Sequence, residues 1–385
     1  MRKFVLILGF VAILLGAGFF LAPTLVDLGA NRTGPYKASQ ASDRARALLK
    51  TLRTVDLHDD ALLWGRDLNE RGSHGHVDIP RMIEGNLWLQ AFTVVTKTPK
   101  YLKLRGNEDD WDHLNLLGPA AGWPESARHS LLGRALYQSK KLHGFAERSQ
   151  GTFEIITSRA ELAAYLEKRK TNPSLAAGFL GFEGAQCLEG KLENLDVLYD
   201  AGFRMGAPTH FTDTEMGGSA HGVSLGGLTP LGKAWVKKME EKKMLIDVSH
   251  ASKRTIDDVL AIATRPVMVS HTGVKGTCDT DRNLPDDQLV AIAKTGGVIG
   301  IGYFKTAICG ESPLAIARAI AYTVKLVGAE HVALGSDWDG AVKTPFDATG
   351  LPVLIDALLA EGLTDEQIKL VMGENALRLL SEALP

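Results

Sequence analysis

Six short stretches of this chain carry side chains that bind metals or move protons. They hold His58, Asp59 and Asp60 in VDLHDD, Glu183 in GFEGA, His210 in FRMGAPTH, Asp247 and His250 in IDVSH, His271 in VSHTG, and Asp337 and Asp339 in GSDWDG. Neutral imidazole and carboxylate are the ligand set of zinc and related divalent cations. Taken singly, each has a plain structural reading. A lone strand-end histidine is commonly a satisfied structural residue; Glu183 between glycines suits an exposed turn, and Asp337 and Asp339 suit Asx-turns. Six strand ends carrying such residues together are no accident of structure. Alternation along a strand puts His58 and Asp60 on one side and turns Asp59 away. The set exceeds what one tetrahedral zinc requires, so two cations ~3.5–4 Å apart are expected. Cations that close repel, and Glu183, alone at its strand end, is the carboxylate placed to bridge them. A hydroxide held between them would be acidified into a nucleophile at neutral pH.

Such convergence needs a scaffold that brings distant strand ends to one place. Short apolar runs recur at residues 55–58, 87–95, 177–183, 205–210, 244–249, 266–270, 297–303 and 331–336. Amphipathic patterns separate most of them, as over 229–243, 252–263, 285–294 and 313–327, with 364–380 after the last. Continuous apolar strands alternating with helices predict a parallel sheet covered by helices. Eight units fit an α/β fold of the (β/α)8 TIM-type barrel, whose C-terminal strand ends all open on one face. A doubly wound open sheet is the runner-up, but no Gly-rich dinucleotide loop follows the first strand. Residues 96–170 exceed one helical connection and read as a loop plus helices that wall a pocket.

Forty-three basic residues against forty-five acidic leave a net charge of −2, which gives no basic excess for nucleic acid. Arg2 and Lys3 precede an uncharged apolar run from Phe4 to Ala22, about long enough to span ~30 Å of hydrocarbon as a helix. Its basic flank predicts a cytoplasmic N-terminus and an exported body. Residues 1–30 are read as a signal anchor, or a cleaved signal peptide, with a short linker; residues 37–385 are read as the catalytic domain. Three cysteines are too few for a disulfide framework. An exported body permits one bridge, and Cys278 and Cys309, which both follow expected strands, are paired here with Cys187 left free; three unpaired thiols are the alternative.

The motifs VDLHDD, GFEGA, FRMGAPTH, GLTPLGKAWVKKMEEKKMLIDVSHAS, RPVMVSHTGVKG, CDTDRNLPDD and VALGSDWDG together resemble the membrane (renal) dipeptidase family of the amidohydrolase superfamily. The resemblance runs over nearly all of the chain beyond about residue 50. It implies a barrel with two Zn2+ ions that hydrolyses L,L and L,D dipeptides with a bridging hydroxide; the carboxylate-rich ligand set itself would also accept Mn2+ or Co2+. By that resemblance His58 and Asp60 bind one zinc, His250 and His271 the other, and Glu183 bridges them. His210 would polarise the substrate carbonyl, and Asp337 would pass the proton to the leaving amine. Arg282 would pair with the substrate carboxylate, a task suited to a planar guanidinium, with help from Asn283.

Two stretches depart from the family pattern. GGVIGIGYFKTAIC replaces the expected end of the seventh strand, leaving Tyr303 as a substrate contact. TEMGGSAHG follows THFTD, and its Glu215 has no assigned place while His221 reads as a loop residue. Two rival functions keep the barrel: hydrolysis of a lactone or cyclic amide, and a non-catalytic, metal-stabilised binding protein. Expected partners are a dipeptide, the membrane through residues 4–22 if uncleaved, and a second copy in a homodimer. The body is expected to face the periplasm or the outside, or to be secreted after cleavage.

Overall fold

The computed structural model describes residue 16 and residues 18–385. The expected anchor at residues 4–22 thus falls largely outside the described residues. Among the described residues no helix is long and apolar enough to cross a membrane.

Nine described strands are β1 (Thr54–Asp59), β2 (Leu87–Val95), β3 (Phe153–Ile155), β4 (Ala176–Glu183), β5 (Phe203–Gly206), β6 (Leu245–Asp247), β7 (Val267–Thr272), β8 (Ile299–Ile301) and β9 (Val332–Leu334). Every pairing among them is parallel, and eight close a barrel in the order β1-β2-β4-β5-β6-β7-β8-β9, with β9 returning to β1. The ninth, β3, lies outside this cycle and pairs with the start of β4. It belongs to the long 96–170 segment, which the sequence presented as loop and helix alone. Strands β1, β4 and β7 are buried along their whole length, as the helical cover of a parallel sheet demands.

Helices start where side chains can satisfy the free N–H groups of a first turn. Thr229 accepts from Gly232 N (3.0 Å) ahead of the helix Pro230–Glu241, and Ser252 accepts from Thr255 N (3.0 Å) ahead of Lys253–Ile262. Ser312 does the same for Pro313–Val327. The C-terminal helix differs from the continuous 364–380 pattern. It runs as Asp365–Lys369, a π-turn at Leu370–Glu374, then Asn375–Ala383. Gly373 explains the break, because a Cβ there would lie 1.8 Å from the Arg53 carbonyl oxygen. The close approach of that backbone to β1 dictates glycine.

After β7 the chain loops out through Cys278 and back to the helix Asp286–Lys294. Cys278 is bonded to Cys309, 31 positions further along the sequence, with Cα atoms 5.4 Å apart. Cys187 is a buried free thiol. Asn283 Nδ2 braces the same loop by donating to Cys278 O (2.6 Å) and Ala307 O (2.9 Å). The bridge thus ties together the loops after β7 and β8. Replacing both cysteines by serine should lower stability by about 2–4 kcal/mol through restored freedom of the unfolded chain, read by denaturant unfolding. A loss below ~1 kcal/mol would mean that the Asn283 hydrogen bonds hold the loop without the bridge.

Candidate metal centre

Four imidazoles from four different strand ends surround one carboxylate. Glu183 Oε1 lies 3.0 Å from His250 Nε2, 3.4 Å from His58 Nε2 and 3.4 Å from His271 Nε2, and its Oε2 lies 3.2 Å from His210 Nε2. Asp60 Oδ2 is 3.6 Å from His58 Nε2. Donor atoms fall into three groups, each within 4.8 Å: His58, Glu183 and His271; Glu183, His210 and His250; and His58, Asp60 and Asp337. Glu183 belongs to two of them and His58 to two.

The proton count decides what this cluster is for. Ser270 Oγ donates its single proton to Asp247 Oδ2 (2.6 Å). It also lies 2.9 Å from His58 Nδ1 and 2.9 Å from His271 Nδ1. With its proton committed, the hydroxyl must accept from both rings, which fixes each with a proton on Nδ1. Neutral rings in this state turn the Nε2 lone pairs of His58 and His271 toward the negative oxygen of Glu183. That arrangement repels itself unless protons or cations sit among the atoms. Outer hydrogen bonds that fix Nδ1–H and free Nε2 are the usual support of metal-bound histidine, so the donor set fits divalent cations.

Charge supports the same reading. Burial, reinforced by the Arg282 cation, holds His250 and His271 well below the ordinary imidazole range. Burial also brings His210 to about 3, with Asp60 opposing and His58 and Arg282 assisting. His58 is the exception. Burial lowers it, but Glu183 and Asp60 together raise it well above the ordinary range. Without cations, one proton on His58 is the counter-charge that the carboxylates obtain, and a metal would replace it. Asp337 is pushed well above the carboxylate range by burial and by Asp60 and Glu183, against His58 and Arg282.

Backbone strain marks the same positions. His250 and Asp337 have φ of 60° and 61°, and Asp339 has 60°. Left-handed non-glycine residues cost on the order of 1–3 kcal/mol each and persist where the surroundings impose them. Around Asp337 the imposing group is Asp339. It is fully buried, accepts from His76 N (2.9 Å) and Val77 N (3.1 Å), and pairs with Arg66 (2.7 Å). The expected Asx-turn residue is thus a buried clamp, with its carboxyl held low by Arg66 and His76 against burial.

Over the cluster lies a cavity of about 130 Å3 whose lining includes Asp60, Glu183, His210, His250, Arg282 and Asp337, with Leu102, Leu104, Phe211 and Phe304 as apolar walls. Arg282 is buried, donates from Nη2 to His271 O (2.6 Å) and stands 3.4 Å from His250 Nε2. Two residues expected at the substrate are elsewhere. Tyr303 is fully buried, packed against Trp338 (5.6 Å) and Phe346 (5.4 Å), and does not line the cavity. Asn283 is occupied by the two carbonyls of the disulfide loop. Conversely, His221, read as a loop residue, is a buried wall of the cavity with its ring 5.0 Å from that of His250. Burial and Arg282 bring it to about 3. Glu215 is exposed.

A parallel barrel with imidazoles and carboxylates converging at its strand ends defines a metal-dependent hydrolase of the TIM-barrel kind. Residues 42–384 match the model of the membrane dipeptidase family, peptidase family M19, and the chain belongs to that family. It is a metal-dependent dipeptidase. A Klebsiella pneumoniae protein described only as uncharacterised, from the pqqA 5′ region, is 33% identical over 233 residues, covering 57% of this chain and 86% of that one. The fold resembles a metallopeptidase from Rhodobacter sphaeroides bound to a phosphinate mimic of L-Ala-D-Ala, with a TM-score of 0.71 and 23% identity over 87% of this chain and 99% of that one. It also resembles the probable dipeptidase PvdM of Pseudomonas aeruginosa, with a TM-score of 0.72 and 20% identity over 89% and 98%.

Glu183→Gln keeps the shape of the carboxylate and removes its charge. Elemental analysis of the folded variant should show less bound metal per chain than the parent protein. Unchanged metal content would exclude Glu183 as a ligand.

Proposed function

We propose that the chain hydrolyses L,L and L,D dipeptides at a two-zinc centre, with manganese or cobalt as competent substitutes. The observation that carries this reading is the Ser270 proton count, which leaves two Nε2 lone pairs facing the carboxylate of Glu183. His58 and Asp60 would hold one cation, His250 and His271 the other, and Glu183 both. When bound, the pair supplies Lewis acidity and water acidified toward neutrality.

The remaining work falls to the protein. His210 carries its proton on Nε2, the atom facing Glu183, and as a neutral imidazole donates that N–H to the carbonyl oxygen as charge develops there. Asp337 takes a proton from the attacking water and delivers it to the departing amine. Its raised affinity for protons suits delivery, and cations beside it would draw it back toward the ionised form needed to accept. Arg282 stays cationic although burial lowers its pKa, opposed by Asp337 and Glu183, and it receives the substrate's free carboxylate. The D-residue tolerance draws on the L-Ala-D-Ala mimic bound by the Rhodobacter sphaeroides relative.

An exported body, anchored or secreted, completes the proposal. The apolar run 4–22 behind Arg2 and Lys3 and the Cys278–Cys309 bridge both suit a chain that leaves the reducing cytoplasm.

The test is a panel of L,L and L,D dipeptides, a tripeptide and a C-terminally amidated dipeptide, with and without chelator. Cleavage should be confined to the free-carboxylate dipeptides and abolished by chelation. No cleavage of any dipeptide by metal-loaded protein would defeat the assignment. Asp337→Asn should lower kcat by about 10²–10⁴ with metal content unchanged. Arg282→Lys should act chiefly on KM; a fall in kcat with KM preserved would remove Arg282 from carboxylate binding.

A further inference from the structure

The open face of the barrel carries a second surface that hydrolysis does not explain. The loop 97–106 reads KTPKYLKLRG, and its residues 100–106 are all exposed. Tyr101 and Leu102 are each 58% exposed, and Leu104 is also exposed. Lys100 and Lys103 each stand 5.4 Å from the Tyr101 ring centre. The other two cations of the loop have partners, Lys97 with Asp109 (2.7 Å) and Arg105 with Asp281 (2.6 Å). Among the described residues Lys100 and Lys103 pair with no carboxylate.

Beside this loop runs the helix of residues 18–30, which continues directly from the apolar run that starts at Phe4. Phe20 is 64% exposed and Leu25 63% exposed, with Phe19, Leu21 and Leu28 also open. Helix and loop share one apolar cleft of about 720 Å3, in which Pro23 and Val26 face Tyr101, Leu102, Leu116 and Leu117. Leu63 and Trp64 after β1, and Ala341 after β9, close the same cleft, which places it on the face where the strands end. Leu63, Leu102 and Ala341 also line the cavity over the metal centre. Soluble proteins rarely expose a continuous apolar patch of this kind, and a larger one marks an interaction site.

We propose that this face docks on a lipid bilayer, with residues 100–104, Leu116 and the helix 18–28 as the inserting rim, so that the active-site mouth opens at the membrane surface. The occupant is a bilayer because the exposed Phe19, Phe20 and Leu21 of this patch are, in sequence, the end of the uncharged apolar run that starts at Phe4. The two unpaired lysines flank the apolar tip of the loop, where their stems lie along hydrocarbon while their ammonium groups reach headgroup phosphates. Glu108 and Asp110, exposed just beyond the loop, limit the electrostatic share, so insertion of apolar side chains supplies the attachment. The inference rests on the anchored reading of residues 4–22 and is independent of the dipeptide assignment.

The full chain is reconstituted in phosphatidylcholine vesicles doped with phosphatidylglycerol and carrying brominated acyl chains. A fluorophore is placed through Leu102→Cys, Leu116→Cys or Ser174→Cys, the last being exposed ahead of β4 at the opposite end of the barrel. Circular dichroism verifies that each variant is folded. Positions 102 and 116 should lose fluorescence to the brominated lipid while 174 keeps it. Chain that floats with vesicles but shows no quenching at 102 and 116 overturns the docking and leaves the anchor standing. Chain that fails to float overturns both. Pyrene excimers at 102 without bromine quenching would make the rim an interface between two copies, and the bilayer proposal would fail.

Discussion

The organisation of this molecule depends on the placement of one carboxylate. Glu183 stands where four histidines meet, and none of its neighbours can be moved without exposing a buried charge or an unpaired nitrogen. In an interior of low dielectric an unpaired carboxylate is costly, so the protein must supply protons or cations. The supporting shell favours cations. Asp247 takes the Ser270 and Ser249 hydroxyl protons (2.6 and 2.8 Å), and Ser270 then orients two imidazoles. Asp56 acts similarly across the barrel seam. It accepts from His58 N, from Ser336 N and Oγ and from Gln90, and so joins β1, β2 and the chain after β9. Neither Asp247 nor Asp56 lines the cavity. They hold the strand ends in the one register in which the nitrogens converge.

The parts of this design legible in the sequence are those fixed by strand geometry. A residue at the end of a parallel barrel strand has a known face, so the sequence itself places His58, Asp60, Glu183, His250 and His271 together. The eight barrel strands were readable for the same reason: each is a short apolar run bounded by polar residues. Where the chain leaves a strand, direction is lost. His221 lies in a long loop with no period, and nothing in TEMGGSAHG shows that it turns back over His250. Tyr303 sits two residues beyond β8, and its ring packs inward between Trp338 and Phe346. Asn283 looked like a substrate contact because it follows Arg282, yet its amide is taken up by main-chain carbonyls. Strand β3 and the Gly373 break depend on contacts with β4 and Arg53, which no local pattern records.

Strain and burial are concentrated on the loop after β9. Asp337, Asp339 and Ala341 all have positive φ, and a chain so contorted stays folded only if it is held from outside. Asp339 provides that hold through two backbone N–H groups and Arg66, while its own carbonyl accepts from Trp64 Nε1 (2.6 Å). Asp337 is thereby fixed without spending its own oxygens on the fold, and it keeps them for a proton.

The same clamp reaches the N-terminal helix. Arg66 pairs with Asp339 on one side and with Asp27 on the other (3.1 Å), and Asp27 also accepts from Asn31 and His74. Asp27 and Asp339 are both buried, so Arg66 is the shared counter-ion of two carboxylates from opposite ends of the chain. Removing one member of a buried pair leaves an uncompensated charge and costs about 3–5 kcal/mol. A helix that merely tethered the barrel would need no such link. A buried ion network from the base of that helix to the loop of Asp337 instead fixes the orientation of the catalytic mouth relative to the helix 18–30. The helix 18–30 is thus held in a defined attitude to the barrel, on the side where the strands end.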